Sequence, residues 1–423
     1  MTAVTATIQQ NVDDIVSKYH KLNISSGKSS NPTVEVELKN INGYKDGFGD
    51  DFSSELPEST RKRFEKYGID ISEGYPKRPE QLTLFLDDAE RIKNELNKSL
   101  EENYIERGKN ADKEKKALFA KAKEVKHLTK YVGTELVGVQ LQDLNEKELD
   151  ELALLVAERV VVFFRNQDLA PQKQLEIGEF FSNEVEKHPL AGQVPLPGVK
   201  GSSGITTIWG KFNRKDKDVN FRQKGGKIWH TDLDHLNPAL THLHLDSIPQ
   251  SGGDTAWTSG YAAYDKLSPD FQKFLDGKVA IHRSAHKYID RNDLLSGGSH
   301  TLTEHPLVVT HPVTGWKALF VNRGHTVRIK DLEPAESDLI LQYLFDVLEK
   351  NLDIQVRFNW TVSEQDRELG ASAIWDNRIS AHYAVDDYVD SEDPRHGTRV
   401  TSLGAKPVFK EDSKSQREAL GLN

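Results

Sequence analysis

Residues 145–158, Asn-Glu-Lys-Glu-Leu-Asp-Glu-Leu-Ala-Leu-Leu-Val-Ala-Glu, run without a break into Arg159-Val-Val-Val-Phe-Phe-Arg165. In the first half the apolar residues keep helical spacing. In the second they form a short continuous run suited to a strand buried on both faces. This change of period marks where a helix-covered sheet begins. Pro171 then opens a second helix, Gln172 to Phe181. Residues 196–227 are rich in Gly, Lys, Arg and Asn and read as a mobile loop. Short strands follow, separated by turn signals such as Ser251-Gly-Gly-Asp254, His311-Pro-Val-Thr-Gly315 and Gly397-Thr, with one helix inserted at about Glu336 to Asn351. The pattern predicts a mainly β fold with packed helices, a double-stranded β-helix (jelly roll) core.

Working back toward the N-terminus, the text becomes an appendage. Glycine-rich acidic sequence, Gly43-Tyr-Lys-Asp-Gly-Phe-Gly-Asp-Asp51, precedes a turn at Tyr75-Pro-Lys-Arg-Pro79. A charged helical stretch from about Glu80 to Val125 follows, with Leu82, Leu84, Leu86, Ile92, Leu96 and Leu100 spaced in threes and fours. Two parts are expected: a partly helical N-terminal extension over residues 1–125, and the jelly-roll domain over 126–423.

Composition excludes several classes of function. The chain has 423 residues and a net charge of −10, so no global basic field gathers nucleic acid or an anionic membrane. The lysines of Lys113-Glu-Lys-Lys116 are flanked by acids and read as a solvated helix face. No apolar run reaches the roughly eighteen residues of a membrane span. The first ten residues lack the features of a secretory signal, and Gly-Leu-Asn at the C-terminus is not a peroxisomal tripeptide. The expected location is the cytoplasm. Cysteine is absent, which excludes disulfides, thiolate metal sites and a cysteine nucleophile. Met1 is the only sulfur-bearing residue, where ordinary usage would place on the order of a dozen.

The chemistry gathers in two distant motifs. Trp229-His-Thr-Asp232 sets His230 and Asp232 two residues apart, and on a strand both would face one way. Alone, such a pair is more often surface or hydrogen-bonded. Ile374-Trp-Asp-Asn-Arg-Ile-Ser-Ala-His382 is a strand-like run that supplies a second imidazole 152 residues after the first. Two histidines and one carboxylate on one octahedral face, the other positions open, suit a non-haem Fe(II) oxygenase. Arg395 and Arg399 follow His382 and offer guanidinium groups that hold carboxylates or sulfonates by paired hydrogen bonds. Read without the triad, both arginines would be surface partners of Asp386, Asp387, Asp390 and Glu392.

Together, Trp-His-Thr-Asp232, Ser251-Gly-Gly-Asp-Thr-Ala-Trp257, Trp375-Asp-Asn-Arg…His382-Tyr and Arg395…Arg399 resemble the taurine dioxygenase family, in particular its fungal sulfonate/2-oxoglutarate dioxygenase branch. The similarity runs from near Thr129 to about Val408 and includes Val162-Phe-Phe-Arg-Asn-Gln167 and His311-Pro-Val-Thr-Gly315. The resemblance implies His230, Asp232 and His382 as ligands of Fe(II), and Thr255 with Arg395 as the clamp on 2-oxoglutarate. It implies His188, Arg399 and the backbone N–H of Leu233 as contacts of a substrate sulfonate, and places Trp375 near the metal. The implied reaction consumes O₂ and hydroxylates the carbon next to sulfur, after which an aldehyde and sulfite separate. Residues 196–227 would close over the site. The family often self-associates.

The sequence also departs from the family. Ala191 stands where a tyrosine is expected three residues after His188, and Gly226 where an asparagine is expected four before His230. Smaller residues and a longer loop imply a roomier pocket, so taurine need not be preferred. His242 and His244 have metal-like spacing without distant partners and read as structural, as do His282, His286, His305 and His311. Asp234 and His235 could compete with Asp232 as ligands. Releasing sulfite would supply sulfur, and a chain made under sulfur scarcity gains from containing almost none. Alkyl sulfate esters, a carboxylate or a xanthine are alternative substrates, and a metal-binding jelly roll without catalysis is the alternative outside enzymes.

Overall fold

A computed structural model describes residues 51–76, 85–186, 190, 196–198, 203–210, 229–285, 287–293, 296–362, 368–388 and 393–422. All structural statements concern these residues. The helix foreseen over 145–158 spans Glu146–Arg159. It begins at a capping box, in which the Asn145 carboxamide accepts from the Glu148 N–H at 3.1 Å and the Glu148 carboxylate accepts from the Asn145 N–H at 2.9 Å. Val160, in left-handed backbone at φ +74°, ends the helix and turns the chain into a strand.

The strands in chain order are β1 (Glu124–His127), β2 (Thr134–Val137), β3 (Val161–Gln167), β4 (Thr206–Trp209), β5 (Pro238–Ser247), β6 (Thr255–Ser259), β7 (Val279–Arg283) and β8 (Leu302–Pro306). They continue as β9 (Val308–Thr310), β10 (Lys317–Leu319), β11 (Thr326–Ile329), β12 (Gln355–Phe358), β13 (Gly370–Asp376), β14 (Ser380–Ala384) and β15 (His396–Leu403). Helices and several sheets are mixed. A seven-stranded sheet has the order β1-β2-β3-β13-β5-β15-β4, and a three-stranded sheet has the order β12-β6-β14. Strands β11-β7-β8 form another sheet, and β9 and β10 form a hairpin through the turn at His311–Gly315.

Side-chain alternation explains the layers. Val161 and Phe163 of β3 join Leu243, Leu245, Ala371, Ala373 and Trp375 of the large sheet against Trp257, Val356 and Phe358 of the small one. Phe163 stacks on Phe358 with ring centroids 4.0 Å apart. Val162 and Phe164 point the other way, into a cluster with Leu149, Leu152, Val156, Ile177 and Phe181 of the two covering helices. The apolar run of β3 is therefore buried on both faces, and each such side chain contributes roughly 1.5–3 kcal/mol. The second covering helix, Pro171–Phe181, and a later one, Pro334–Lys350, lie where the sequence places them.

Two expectations change. The stretch 80–125 is not one helix. Its apolar spacing carries a helix over Leu86–Asn103, and once that spacing ends at Leu100 the chain extends at Tyr104, forms the short helix Lys116–Lys121 and enters β1. Leu82 and Leu84 lie outside the described residues. The stretch 196–227 is not loop throughout: Thr206–Trp209 forms β4, paired antiparallel with β15 at the sheet edge. Residues 199–202 and 211–228 lie outside the described residues.

The N-terminal segment packs on the outer side of the large sheet. Phe52, Leu56, Phe64, Ile69 and Tyr75 share one apolar cluster with Leu175, Val185, Trp209 and Val400. No helix among the described residues is long and apolar enough to cross a membrane.

Candidate metal centre and anion clamp

His230 and His382 face each other across an isolated antiparallel bridge. The His230 N–H donates to the His382 carbonyl at 3.0 Å, and the His382 N–H donates to the His230 carbonyl at 2.8 Å. Their rings lie 4.2 Å apart between centroids. Asp232 completes the group, whose candidate ligand atoms all lie within 4.8 Å of one another.

The route to this convergence differs from the expected one. No strand carries His230 and Asp232 together, because the chain turns at Asp232–His235 and Leu233 adopts left-handed backbone at φ +56°. Nor is 374–382 one strand. β13 ends at Asp376, and β14 begins at Ser380 in the other sheet, so His382 approaches from the opposite layer to Trp375. Trp375 still lies against the His382 ring, 4.9 Å between centroids.

A polar frame that the sequence reading missed holds Asp232. The Asn377 carboxamide oxygen accepts from the Asp232 N–H at 3.2 Å and from Trp375 Nε1 at 3.0 Å. Asn377 Nδ2 donates to Thr241 Oγ1 at 2.8 Å, and Thr241 Oγ1 donates to Asp232 Oδ2 at 3.1 Å. Asn377 was visible inside the Trp375-Asp-Asn motif. Thr241 had no local mark.

Electrostatics suit a divalent cation. Burial opposes ionisation of Asp232, but the Arg399 guanidinium and the His382 and His230 rings outweigh it and hold the carboxyl below its usual range. Burial, aided by His230, pushes His382 down to about 3, so its imidazole is neutral and able to ligate. His382 Nδ1 is buried with no hydrogen-bond partner, while Nε2 lies 3.8 Å from Asp232 Oδ2. The neutral His382 imidazole, the His230 ring and an ionised Asp232 carboxylate form a donor set that fits Fe(II).

Arg395 is buried, and Arg399 keeps only 13% of its side chain exposed. Arg395 Nε donates to the Gly253 carbonyl at 3.0 Å, and its Nη2 lies 3.4 Å from Thr255 Oγ1. Thr255 Oγ1 also accepts from Trp360 Nε1 at 3.1 Å. Asp387 is taken by the Gly253 N–H and by Arg357. Arg399 Nη1 donates to Asp232 Oδ1 at 2.7 Å, and Nη2 lies 3.4 Å from Glu186 Oε2. The sequence reading foresaw neither carboxylate partner. Leu233 is buried beside the triad in sequence, and His188, Ala191 and Gly226 lie outside the described residues.

Asp234 does not join the centre. It is held by His282 Nδ1 at 2.9 Å, His325 Nδ1 at 2.7 Å and Asn322 Nδ2 at 2.7 Å. His242 Nε2 and His244 Nδ1 both reach the Ser372 hydroxyl, at 3.1 and 2.9 Å. His305 Nε2 donates to the Leu236 carbonyl at 2.8 Å, and His311 pairs with Asp376 at 2.9 Å. His286 lies outside the described residues.

Residues 124–401 match the family model for the taurine catabolism dioxygenase TauD, TfdA family. An alpha-ketoglutarate-dependent sulfonate dioxygenase of Saccharomyces cerevisiae is 35% identical over 312 residues, covering 69% of this chain and 70% of that protein. An alpha-ketoglutarate-dependent sulfate ester dioxygenase of Pseudomonas putida is 31% identical over 295 residues, covering 66% of this chain and 88% of that protein. The crystal structure of a taurine dioxygenase from Burkholderia xenovorans superposes with a TM-score of 0.55 at 32% identity, covering 69% of this chain and 92% of that one.

Proposed function

The chain belongs to the taurine catabolism dioxygenase TauD, TfdA family, and from that premise we propose that it is an Fe(II)- and 2-oxoglutarate-dependent dioxygenase of organosulfonates. The observation that carries the reading is the gathering of His230 and Asp232, from the turn before β5, with His382 of β14, so that their ligand atoms lie within 4.8 Å of one another. His230, Asp232 and His382 are the proposed iron ligands, and Arg395 with Thr255 the proposed clamp on the distal carboxylate of 2-oxoglutarate. The facing of β12-β6-β14 on the large sheet supports a jelly-roll core, with residues 126–423 as the catalytic domain and the preceding residues as its extension.

Bound ferrous iron with 2-oxoglutarate and O₂ supplies the oxidising power, and succinate and CO₂ leave as products. The protein's own residues do the rest. Thr241 holds the Asp232 carboxylate and Asn377 accepts from its backbone N–H, which together orient the ligand. Arg395 remains charged throughout and turns a free collision with a dicarboxylate into an oriented encounter. Arg399, braced by Asp232 and Glu186, presents a cation beside the centre, where a sulfonate would dock with its adjacent C–H toward the iron. Hydroxylation of that carbon leads to loss of sulfite and an aldehyde.

Anaerobic titration of the protein with Fe(II) and then 2-oxoglutarate is expected to give a weak visible charge-transfer band. The band is expected to vanish in His230→Ala and in Arg395→Ala. Its persistence in both variants would sink the site. Succinate and sulfite measured over a panel of sulfonates, alkyl sulfates, carboxylates and xanthine then identify the substrate class. Sulfite from a sulfonate is the expected result.

A further inference from the structure

Beyond the family match, which begins at residue 124, lies a segment with direct access to the strand of the two arginines. Along β15 the side chains alternate. Thr398 and Val400 face the outer side, where Val400 packs with Phe64 and Tyr75, and Arg399 takes the opposite side toward Asp232. His396 belongs to the outer set, immediately after Arg395.

The outer set is held by the N-terminal segment. The Tyr75 hydroxyl lies 2.8 Å from His396 Nε2 and 3.0 Å from Thr207 Oγ1. His396 Nδ1 lies 2.7 Å from Asp246 Oδ1, which also accepts from Thr60 Oγ1 at 2.8 Å. The Arg63 guanidinium donates to Asp246 Oδ2 at 2.8 Å and to Thr398 Oγ1 at 3.2 Å. Side-chain exposure is 6% for Arg63 and 4% for Asp246, so the pair is buried. A buried pair of this kind is a poor source of stability compared with apolar residues of the same size. Its better-attested use is to specify one arrangement. Here the arrangement specified is the position and register of β15.

We propose that Thr60, Arg63 and Tyr75 are positioning residues of the active site: by locking His396 and Thr398 from outside the sheet, they set where Arg395 and Arg399 stand inside it. The N-terminal segment thus completes the 2-oxoglutarate clamp without touching it. The inference rests on the reading of Arg395 as that clamp.

Three full-length variants test it: Tyr75→Phe, which removes only the hydroxyl; Phe64→Leu, which loosens the same segment without a polar change; and Arg395→Ala. The measurements are 2-oxoglutarate affinity, by calorimetry on the anaerobic Fe(II)-loaded protein, and melting temperature. Tyr75→Phe is expected to weaken 2-oxoglutarate binding about tenfold, as loss of one well-aligned hydrogen bond would. KM for 2-oxoglutarate should rise in parallel and kcat change less. Phe64→Leu should lower the melting temperature at least as much while leaving affinity within about twofold. If Tyr75→Phe binds 2-oxoglutarate normally while Arg395→Ala does not, the positioning role is overturned and the clamp stands. If Phe64→Leu weakens binding as much as Tyr75→Phe, the segment acts only through stability and the proposal also fails. Unchanged binding in Arg395→Ala would instead remove the clamp reading itself.

Discussion

The two sides of the large sheet are lined by nearly the same residue types with opposite results. On the outer face Asp246, His396 and Arg63 close on one another, with the His–Asp pair at 2.7 Å and the Arg–Asp pair at 2.8 Å. On the inner side Asp232, His382 and Arg399 include a similar Arg–Asp contact at 2.7 Å, but the His–Asp pair stands at 3.8 Å. Among the described residues the other histidine–carboxylate pairs, at Asp234 and Asp376, lie at 2.7–2.9 Å. In a hydrogen-bonding network donors aim at acceptors. The ligand atoms of His230, Asp232 and His382 instead lie within 4.8 Å of one another, spaced as around a shared ion. A buried charged cluster is structural when its members satisfy one another, and chemical when its backbone frame holds them just out of mutual reach.

The largest test of this contrast is Asp232→Ala, expected to lower succinate formation more than about a hundredfold, beyond the usual loss for an outer-shell change. Iron content after desalting should fall with it, while the fold is retained. Asp246→Ala should do the reverse. With Arg63 and His396 left uncompensated in the interior, unfolding in urea should lose about 3–5 kcal/mol, while iron still binds at 4 °C. If Asp246→Ala were as stable as the parent, the outer cluster would not be the lock described. Thr241→Val, which removes the hydroxyl that donates to Asp232, should cost roughly ten- to a hundredfold in iron affinity by competition with a chelator.

The smallest effect is one of pH. Burial and Arg63 push His242 down to about 3, and burial with His282 does the same to His305. Their unfolded counterparts protonate near 6.5. Stability from these rings is therefore complete above pH 6.5 and is lost as pH falls toward 3, by at most about 1.4 kcal/mol per ring per pH unit. His325 is shifted upward, so its opposite contribution lies above pH 6.5 and leaves the lower window clear. Urea midpoints at pH 6.5 and 5.5 measure the slope. A flat profile would mean that these histidines are not buried neutral.

Legibility in the sequence followed the range of the interaction. The helix ending at Arg159 and the strand from Val161 were plain because period and apolar run are local. The candidate triad was legible because its residues sit in two short motifs that resemble a known family. The turn at Asp232–His235 was not, since it depends on Asn377 and Thr241 reaching across from elsewhere. β4 was hidden because four residues of an edge strand sit in glycine- and lysine-rich text. The docking of the N-terminal segment was hidden too: Thr60, Arg63 and Tyr75 obey no period, and their side-chain hydrogen-bond partners lie 106 to 336 residues away.

The step from β13 to β14 has its own consequence. Only Asn377, Arg378 and Ile379 separate the last residue of one leaf from the first of the other. The candidate metal centre therefore sits on a seam, and both sheets are stitched by the same thread. A residue inserted into this stitch would shift His382 of β14 relative to Trp375 of β13 and so disturb the candidate centre directly.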